Sequence, residues 1–202
     1  MFHVLYKFFS TKPTVITTNN ESNDTDTLNY STSNNDFPTA PILFQQSPST
    51  LYNNTNKKTC TNFQERQGDL FTDSPPTNAL VHCVSQDFNM GGGIAREFRN
   101  RFNSIKELKS QRKKVGQVAY LNRDGRYLFY IITKRRVNEY PTCENFMRGL
   151  IELRHVCEKF GVKGLCMPRI GTGIDKLSLD FVRESVKHVF DGSDIQITMF
   201  FL

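Results

Sequence analysis

Hydrophobic and polar positions divide the chain into two unlike parts. From residue 63 onward, short apolar runs alternate with segments in which apolar residues recur every three or four positions. Short apolar runs are typical of buried strands, and the longer period is typical of helices that pack one face on a core. The pattern therefore predicts one folded domain over residues 63–202, and it predicts no core for residues 1–62.

Strands and helices are predicted to alternate along the folded part. Strands are expected over residues 79–84, 117–121, 126–133, 165–167 and 195–202, with a hairpin turn at the Asp-Gly of 124–125. Helices are expected from Ile94 to about Phe102, from the cap Thr142 to Gly161, and from the cap Ser178 to Gly192. This alternation is typical of a three-layer α/β/α domain with a mixed central sheet. Ligands of such domains bind at the carboxyl ends of the strands.

Composition strengthens the division. Of residues 1–62, 28 are Asn, Ser or Thr, and four lysines balance four acidic residues, so the chain's net charge of +6 lies in residues 63–202. A segment with so little apolar surface cannot offset the entropy that ordering costs. We therefore expect residues 1–62 to be a disordered Asn/Ser/Thr-rich extension.

The first twelve residues, MFHVLYKFFSTK, are apolar and aromatic with two lysines and no arginine. Organelle-targeting segments are usually richer in arginine, so we favour an irregular extension and leave a targeting role open. No apolar run approaches the roughly 20 residues that cross a bilayer, and no membrane contact is expected. We expect the protein in the nucleus, the cytoplasm or both.

Neither a metal nor another cofactor is expected. The five cysteines are odd in number and form no CxxC pair, which favours reduced, buried thiols over a zinc motif. His82 and Cys83 are neighbours on a predicted strand and point to opposite faces, so they do not share a ligand site.

Two glycine clusters follow predicted strands. The first contains Gly91, Gly92 and Gly93, and the second spans residues 168–175 with Gly171 and Gly173. Glycine lets backbone N–H groups approach a phosphate closely, and a following helix adds a favourable dipole. Neither cluster matches a P-loop or a complete dinucleotide fingerprint, and each alone is a tight turn by default. Two such loops at corresponding strand ends favour a diphosphate site.

A lysine and an aspartate stand beside these loops. Lys134 ends the apolar strand of residues 127–133, where partial desolvation can free an amine as a nucleophile. The alternative is a surface lysine that merely ends a strand. Asp175 lies in the second glycine loop, where its alternative role is a local hydrogen bond. Converging on one bound sugar, the two side chains would be a nucleophile and an acid/base pair.

Seven segments of the folded part occur in an order that closely resembles one family. They are GDLF at 68–71, ALVHCVS at 79–85, MGGGIA at 90–95, RDGRY at 123–127, YIITK at 130–134, PTCEN at 141–145 and MPRIGTGID at 167–175. The series resembles macrodomains, and among them the terminal ADP-ribose protein glycohydrolases, over about residues 63–202.

The resemblance implies an enzyme that removes ADP-ribose from acidic side chains of modified proteins and deacylates O-acyl-ADP-ribose. Its partners would be ADP-ribose and ADP-ribosylated proteins, with the enzyme a monomer. It carries the nucleophile onto Lys134, the acid/base onto Asp175, and the adenine contact onto Asp69 with Leu70 beside it. Further substrate-contacting positions match Ser85, Gly91, Gly92, Gly93, Tyr130, Arg169, Ile170, Gly171, Thr172, Gly173, Ile174 and Leu202.

One departure bears on mechanism. Other hydrolytic macrodomains place an asparagine pair after the second strand, whereas this chain has His82, Cys83, Val84 and Ser85 there. The resemblance therefore favours the lysine route over a substrate-activated water.

Two other functions stay open beside the hydrolase. Many macrodomains bind ADP-ribose without cleaving it, and fold alone does not separate them from enzymes. A third hypothesis is a nucleic-acid binder, because the stretch from Arg96 to Lys114 contains eight Lys and Arg residues but only two Glu. Such a run is usually a solvated helix face, so only a weak nucleic-acid contact is expected there.

Overall fold

A computed structural model describes residues 62–202. The strands are β1 (Phe63–Gln67), β2 (Ala79–Ser85), β3 (Val118–Arg123), β4 (Arg126–Lys134), β5 (Gly164–Pro168) and β6 (Gln196–Phe201). The helices are α1 (Gly93–Phe102), α2 (Ile105–Ser110), α3 (Cys143–Lys159) and α4 (Leu179–Phe190). The predicted extension and the targeting question lie outside the described residues, apart from Asn62. None of the helices of residues 62–202 is both long and apolar enough to cross a bilayer.

The six strands form one mixed sheet in the order β1-β6-β5-β2-β4-β3. Every neighbouring pair is parallel except the β3–β4 hairpin, which is antiparallel. The carboxyl ends of β1, β6, β5, β2 and β4 therefore lie along the same edge. The sheet confirms the predicted mixed α/β architecture, and it brings five strand-to-loop junctions together.

Each face of the sheet carries its own core. Leu80 and Val84 of β2 belong to a cluster with Phe98 of α1 and Leu108 of α2. The alternate residues Ala79 and Val81 of the same strand belong to a second cluster with the buried residues of α3 and α4. Successive side chains of a strand point to opposite faces, which gives the three layers. Burying a leucine of this kind stabilises the fold by roughly 1.5–3 kcal/mol.

His82 is fully buried among the residues that pack between the sheet and α1. Its ring stacks on Phe98 with the centroids 3.9 Å apart, and its Nδ1 lies 3.1 Å from the carbonyl oxygen of Cys83. Burial lowers the pKa of His82 to about 3, because a charged ring would lose its hydration there. His82 is therefore a neutral core residue at physiological pH.

The sequence pattern did not predict two elements, the strand β1 and the helix α2. β1 has the sequence FQERQ, in which Phe63 is the single apolar residue, and it pairs with β6 at the edge of the sheet. An edge strand half exposed to solvent has no apolar run to reveal it. α2 has six residues and one buried side chain, Leu108, which is too short for a helical period to emerge.

The helix starts differ in a way that prepares the site. Thr142 and Ser178 cap α3 and α4, each accepting a backbone N–H three residues on, at 3.1 and 3.2 Å. At α1 the cap is Gly92, which offers no side-chain acceptor, and the first turn contains no acidic residue. The first amides of α1 thus have no side-chain partner and suit an anion.

Candidate active site

A cavity of about 720 Å³ lies at the edge where the parallel strands end. Its wall comes from the loops after β1, β2 and β5, the last residues of β4 and β6, and the first turn of α1. The volume lies within the range of sites that hold small molecules and cofactors. The position agrees with the expectation that ligands of α/β domains bind beyond the carboxyl ends of the strands.

Lys134 and Asp175 meet in this cavity. Lys134 Nζ donates to Asp175 Oδ1 at 2.6 Å, and the two side chains are only 7% and 12% exposed. Lys134 is the last residue of β4, and its carbonyl accepts the N–H of Gln86, which follows β2. The pair therefore joins the ends of two neighbouring strands to the loop after β5.

The contact suits proton exchange. An ammonium must lose a proton before its nitrogen can attack an electrophile, and a carboxylate 2.6 Å away can accept that proton. No other group within residues 62–202 donates a hydrogen bond to the Asp175 side chain. Transfer of the proton therefore needs no rearrangement of other partners.

The first glycine loop lies directly under Ile174. A Cβ atom on Gly92 would lie 3.2 Å from Ile174 Cδ1, and one on Gly93 would lie 3.6 Å from it. Gly93 also has φ +54°, a left-handed conformation that favours glycine. The absence of side chains here lets the second loop approach the first and leaves the start of α1 open to the cavity.

The second loop is fixed by its own backbone. Gly171 has φ +73°, and a Cβ atom there would lie 2.9 Å from Leu177 Cδ1, so only glycine fits without strain. The Gly171 carbonyl accepts the N–H of Leu177 at 2.9 Å, and Thr172 Oγ1 donates to the Arg169 carbonyl at 2.8 Å. These bonds hold the turn that presents Asp175.

Asp69 stands at the opposite end of the cavity, after β1. Its Oδ1 accepts the N–H groups of Phe71 and Thr72 at 2.7 and 3.1 Å. Its own N–H donates to Asp73 Oδ2 at 2.8 Å, and the neighbouring Leu70 is buried. One carboxylate oxygen is thus held by the turn, while the side chain remains part of the cavity wall.

Ser85 lines the cavity and braces two loops. Its Oγ donates to Asp87 Oδ1 at 2.5 Å, and Asp87 also accepts the N–H groups of Asn89 and Val137, each at 3.2 Å. Burial alone would raise the pKa of Asp87, but these hydrogen bonds outweigh it and lower that pKa. Asp87 therefore ties the loop after β2 to the segment after β4.

The structure places Tyr130 away from the cavity, in contrast to the ligand contact expected from the resemblance. The side chain is 1% exposed and packs edge-on against His82 and Phe98 in the core beneath α1. The reason is strand alternation, which points Tyr130 into the same cluster as Leu128 and Ile132. The other predicted site residues all line the cavity: Lys134, Asp175, Asp69, Leu70, Ser85, Gly91, Gly92, Gly93, Arg169, Ile170, Gly171, Thr172, Gly173, Ile174 and Leu202.

A charged cluster behind the cavity was not predicted. Arg169 Nη2 donates to Glu65 Oε2 at 3.1 Å, and Arg183 donates to both oxygens of the same carboxylate. The guanidinium of Arg169 also lies 4.2 Å from the ring centroid of Phe201. Hydrogen bonds from Arg183 and then Arg169 lower the pKa of Glu65 despite its partial burial. These residues come from β1, β6, α4 and a loop, so no local motif announces them.

Cys83 is a further wall residue that sequence reasoning assigned no role in the site. Burial, followed by the negative charge of Asp175, raises the pKa of the Cys83 thiol well above its usual value, against a lowering effect of Lys134. The thiol is therefore neutral and adds no charge beside the pair. Within residues 62–202 no group of three or more His, Cys, Asp or Glu side chains is arranged to hold a metal ion.

The predicted basic stretch is divided between two places. Arg96 and Arg101 line the cavity, and the guanidinium of Arg101 lies 4.3 Å from the ring centroid of Phe71. The other basic residues lie on α1, α2 and the loop that follows. A nucleic-acid contact through this stretch stays a prediction.

Solved structures resemble the described domain. The macrodomain of Thermus aquaticus DarG aligns with a TM-score of 0.62 and 20% identity over 69% of this chain and 98% of that chain. A Thermosipho africanus DarTG structure, in complex with ADP-ribose, aligns with a TM-score of 0.62 and 18% identity over 69% of this chain and 41% of that chain. The fold is that of a macrodomain.

Sequence relatives narrow this class to one family. The bovine (Bos taurus) and human (Homo sapiens) proteins named ADP-ribose glycohydrolase OARD1 are 47% and 46% identical to this chain over 136 residues, which are 67% of it and 89% of each relative. The chain belongs to the OARD1 family and is a hydrolase. No family model matches the sequence. The resemblance inferred from the motifs is thereby confirmed at the level of the family.

Proposed function

We propose that the protein binds ADP-ribose in this cavity and hydrolyses the ester that joins it to a glutamate or aspartate side chain. The observation that carries the proposal is the contact of Lys134 with Asp175, at 2.6 Å, beside two glycine loops. The names of the OARD1 relatives, and the ADP-ribose bound in the Thermosipho structure, support the choice of ligand.

The order of the strands suggests how the ligand lies. Asp69 follows β1, the second glycine loop follows β5, the first follows β2, and Lys134 ends β4. From β1 to β4 there are four strand spacings of about 4.8 Å, or roughly 19 Å in all. An extended nucleoside diphosphate sugar fits such a path, with its base beside Asp69, its diphosphate between the glycine loops and its terminal ribose beside Lys134.

The middle of this path suits the diphosphate. The uncapped start of α1 supplies backbone N–H groups and the positive end of its dipole. Arg96 and Arg101 add positive charge to the wall of the cavity. Glycines at 91–93 leave room for phosphate oxygens to reach the amides, which a side chain would prevent.

The chemistry follows from the Lys134–Asp175 contact. Asp175 takes a proton from Lys134, and the neutral Nζ attacks the anomeric carbon of the terminal ribose. The new N–C bond forms as the C–O bond to the ester breaks, and the modified side chain leaves as a carboxylate. Water then adds to the same carbon and gives up one proton to solvent or to the departed carboxylate, while the N–C bond breaks and the lysine recovers its own proton from Asp175. The net reaction consumes one water and yields ADP-ribose and a free acid.

Small esters of ADP-ribose fit the same proposal. O-acyl-ADP-ribose presents the same nucleotide to the same loops, and its terminal ribose would lie beside the same lysine. We therefore expect one site to process both modified proteins and O-acyl-ADP-ribose.

The test is release of free ADP-ribose from a peptide that carries ADP-ribosyl-glutamate, followed by mass spectrometry. Lys163→Ala serves as the matched control for Lys134→Ala, because Lys163 is an exposed lysine just before β5. Wild type and Lys163→Ala should release ADP-ribose, and Lys134→Ala should not. Binding of ADP-ribose by calorimetry with no release by wild type would instead establish a binding module.

A further inference from the structure

Apolar side chains are exposed at the end of the cavity where Lys134 and Asp175 lie. In the described part of the chain, the large apolar residues with the greatest exposure are Tyr120, Val137, Tyr140, Ile174 and Leu202. Val137, Tyr140 and Ile174, at 42%, 60% and 60%, lie on the two segments that follow Lys134 and precede Asp175. Exposed apolar side chains that cluster at one place mark a contact surface.

We call this surface the rim, and it consists of Val137, Tyr140, Ile174 and Lys176. Hydrogen-bonding and side-chain contacts connect it to the cavity. Val137 and Ile174 line the cavity itself, and the Val137 N–H donates to Asp87 Oδ2 at 3.2 Å. The ammonium of Lys176 lies 5.0 Å from the ring centroid of Tyr140, within the range of a cation–π contact. The rim thus bridges the segment after β4 and the loop that carries Asp175.

Positive charge surrounds the rim. Arg135, Arg136 and Lys176 are exposed, and none of the three forms an ion pair within residues 62–202. The nearby carboxylate of Glu139 accepts the backbone N–H groups of Arg135 and Arg136, at 3.1 and 3.3 Å. A partner with acidic side chains would meet complementary charge here.

The position of the rim decides what it can contact. β4 is the last of the five parallel strands whose carboxyl ends lie along the cavity. Beyond it lies β3, which runs antiparallel to β4. A ligand that reaches Lys134 from the Asp69 end therefore points its leaving group toward residues 135–140. We propose that the rim is a subsite for the polypeptide that flanks the modified residue, with preference for apolar and acidic neighbours. This inference rests on the proposed function.

A polypeptide fits the rim better than the alternatives do. A small ester such as O-acetyl-ADP-ribose has no chain beyond its acyl group that could extend along residues 135–140. A nucleobase stacks on aromatic surface, but Tyr140 is the single aromatic residue of the rim and the other two apolar residues are aliphatic. Aliphatic and aromatic surface beside unpaired cations suits side chains of an acidic peptide.

The experiment compares two substrates. One is a peptide with ADP-ribosyl-glutamate flanked by leucine and glutamate, and the other is O-acetyl-ADP-ribose. Tyr140→Ala should lower the ratio of kcat/KM for peptide over small ester by about fivefold, a modest loss for one aromatic contact. Tyr140→Phe should lose less of the ratio than Tyr140→Ala, because it keeps the ring and removes only the hydroxyl that contacts Lys176. Tyr120→Ala, at an exposed tyrosine on β3, is the control for general effects.

A second arm tests the charge. Replacing the flanking glutamates of the peptide by glutamine should weaken its turnover by wild type by about threefold, and Lys176→Ala should reduce that preference. An unchanged ratio in Tyr140→Ala would overturn the inference. So would equal loss on both substrates, since that is the result of a displaced Asp175. With an ADP-ribosylated oligonucleotide as an additional substrate, a loss confined to that oligonucleotide would also overturn the inference.

Binding separates this inference from the proposed function. In a Lys134→Ala background, which should not turn substrate over, calorimetry should show tighter binding of the modified peptide than of ADP-ribose. Tyr140→Ala should remove that difference. If wild type releases no ADP-ribose but the difference is present, the proposed function fails and the rim subsite stands. If the peptide and ADP-ribose bind equally, the subsite fails.

Discussion

The two ends of the cavity hold their carboxylates in different ways. At the β1 end, Asp69 accepts two backbone N–H groups and Glu65 accepts two guanidinium groups. At the β4 end, Asp175 has the ammonium of Lys134 as its single hydrogen-bond donor within residues 62–202. Backbone amides and guanidinium groups are too weakly acidic to pass a proton to a carboxylate, whereas an ammonium is the stronger acid and can do so. We therefore expect the β1 end to hold a ligand and the β4 end to move a proton.

Removing the amine of Lys134 should have the largest effect on activity of the changes considered. Lys134→Ala should lower the rate of ADP-ribose release by about a hundredfold or more, because no other nucleophile replaces the amine. Binding of ADP-ribose, measured by calorimetry, should change far less, since Asp69 and both glycine loops remain. Release at the wild-type rate from folded Lys134→Ala would show that the lysine is not the nucleophile.

Removing the base should give a different outcome from removing the nucleophile. Asp175→Asn should slow turnover by about a hundredfold. Lys134 can still lose its proton to water, more slowly, and attack. Some of the enzyme should then accumulate as a covalent adduct, because the amide cannot return the proton that releases the lysine. Intact-protein mass spectrometry after mixing with substrate would reveal the adduct, and Lys134→Ala/Asp175→Asn should lack it. An adduct that persists without Lys134 would place the nucleophile elsewhere.

The loop that presents Asp175 should tolerate one glycine replacement and not another. Gly171→Ala places a Cβ at φ +73° and 2.9 Å from Leu177, so the free energy of unfolding should fall by about 1–2 kcal/mol. Gly173→Ala is the matched control, because its Cβ would have no neighbour within 4 Å. Urea denaturation measures both. Equal stability of the two variants would contradict the fixed turn.

The sequence predicted the residues at the β4 end of the cavity better than those near its β1 end. Lys134, Asp175 and the glycine loops lie in short segments whose residue types suggest their chemistry, and the strand order brings them together. Arg183 and Glu65 lie 118 residues apart, and neither belongs to a motif. A pair of this kind depends on the register of β1, a strand that its own sequence does not reveal.

Tyr130 illustrates a different limit. The resemblance placed this residue in contact with substrate, and it lies on the same strand as Lys134, four positions earlier. Lys134 is at the end of the strand, where it reaches the cavity, whereas Tyr130 is buried in the middle of the strand. Proximity to Lys134 in the sequence therefore does not place a side chain in the cavity.

The smallest effect is expected for the pH dependence of stability that Glu65 contributes near the β1 end of the cavity. Arg183 and Arg169 lower the pKa of Glu65 in the folded protein, so the unfolded chain binds the proton more tightly. The stability from this pair is therefore present above the unfolded pKa of 4.5 and is lost as pH falls through the lower folded pKa. Because Glu65 is 19% exposed, we expect about 1 kcal/mol or less at pH 7.

Glu65→Gln should lose that stability at pH 7 and should lose less than wild type when the pH is lowered from 7 to 3.5. Binding of ADP-ribose should weaken by about threefold, because Arg169 lines the cavity and loses its anionic partner. Glu152→Gln, at a glutamate in α3 that forms no ion pair within the described residues, is the control. Urea denaturation at both pH values provides the measurement. If Glu65→Gln follows wild type over the whole pH range, the two arginines do not stabilise the fold through this carboxylate.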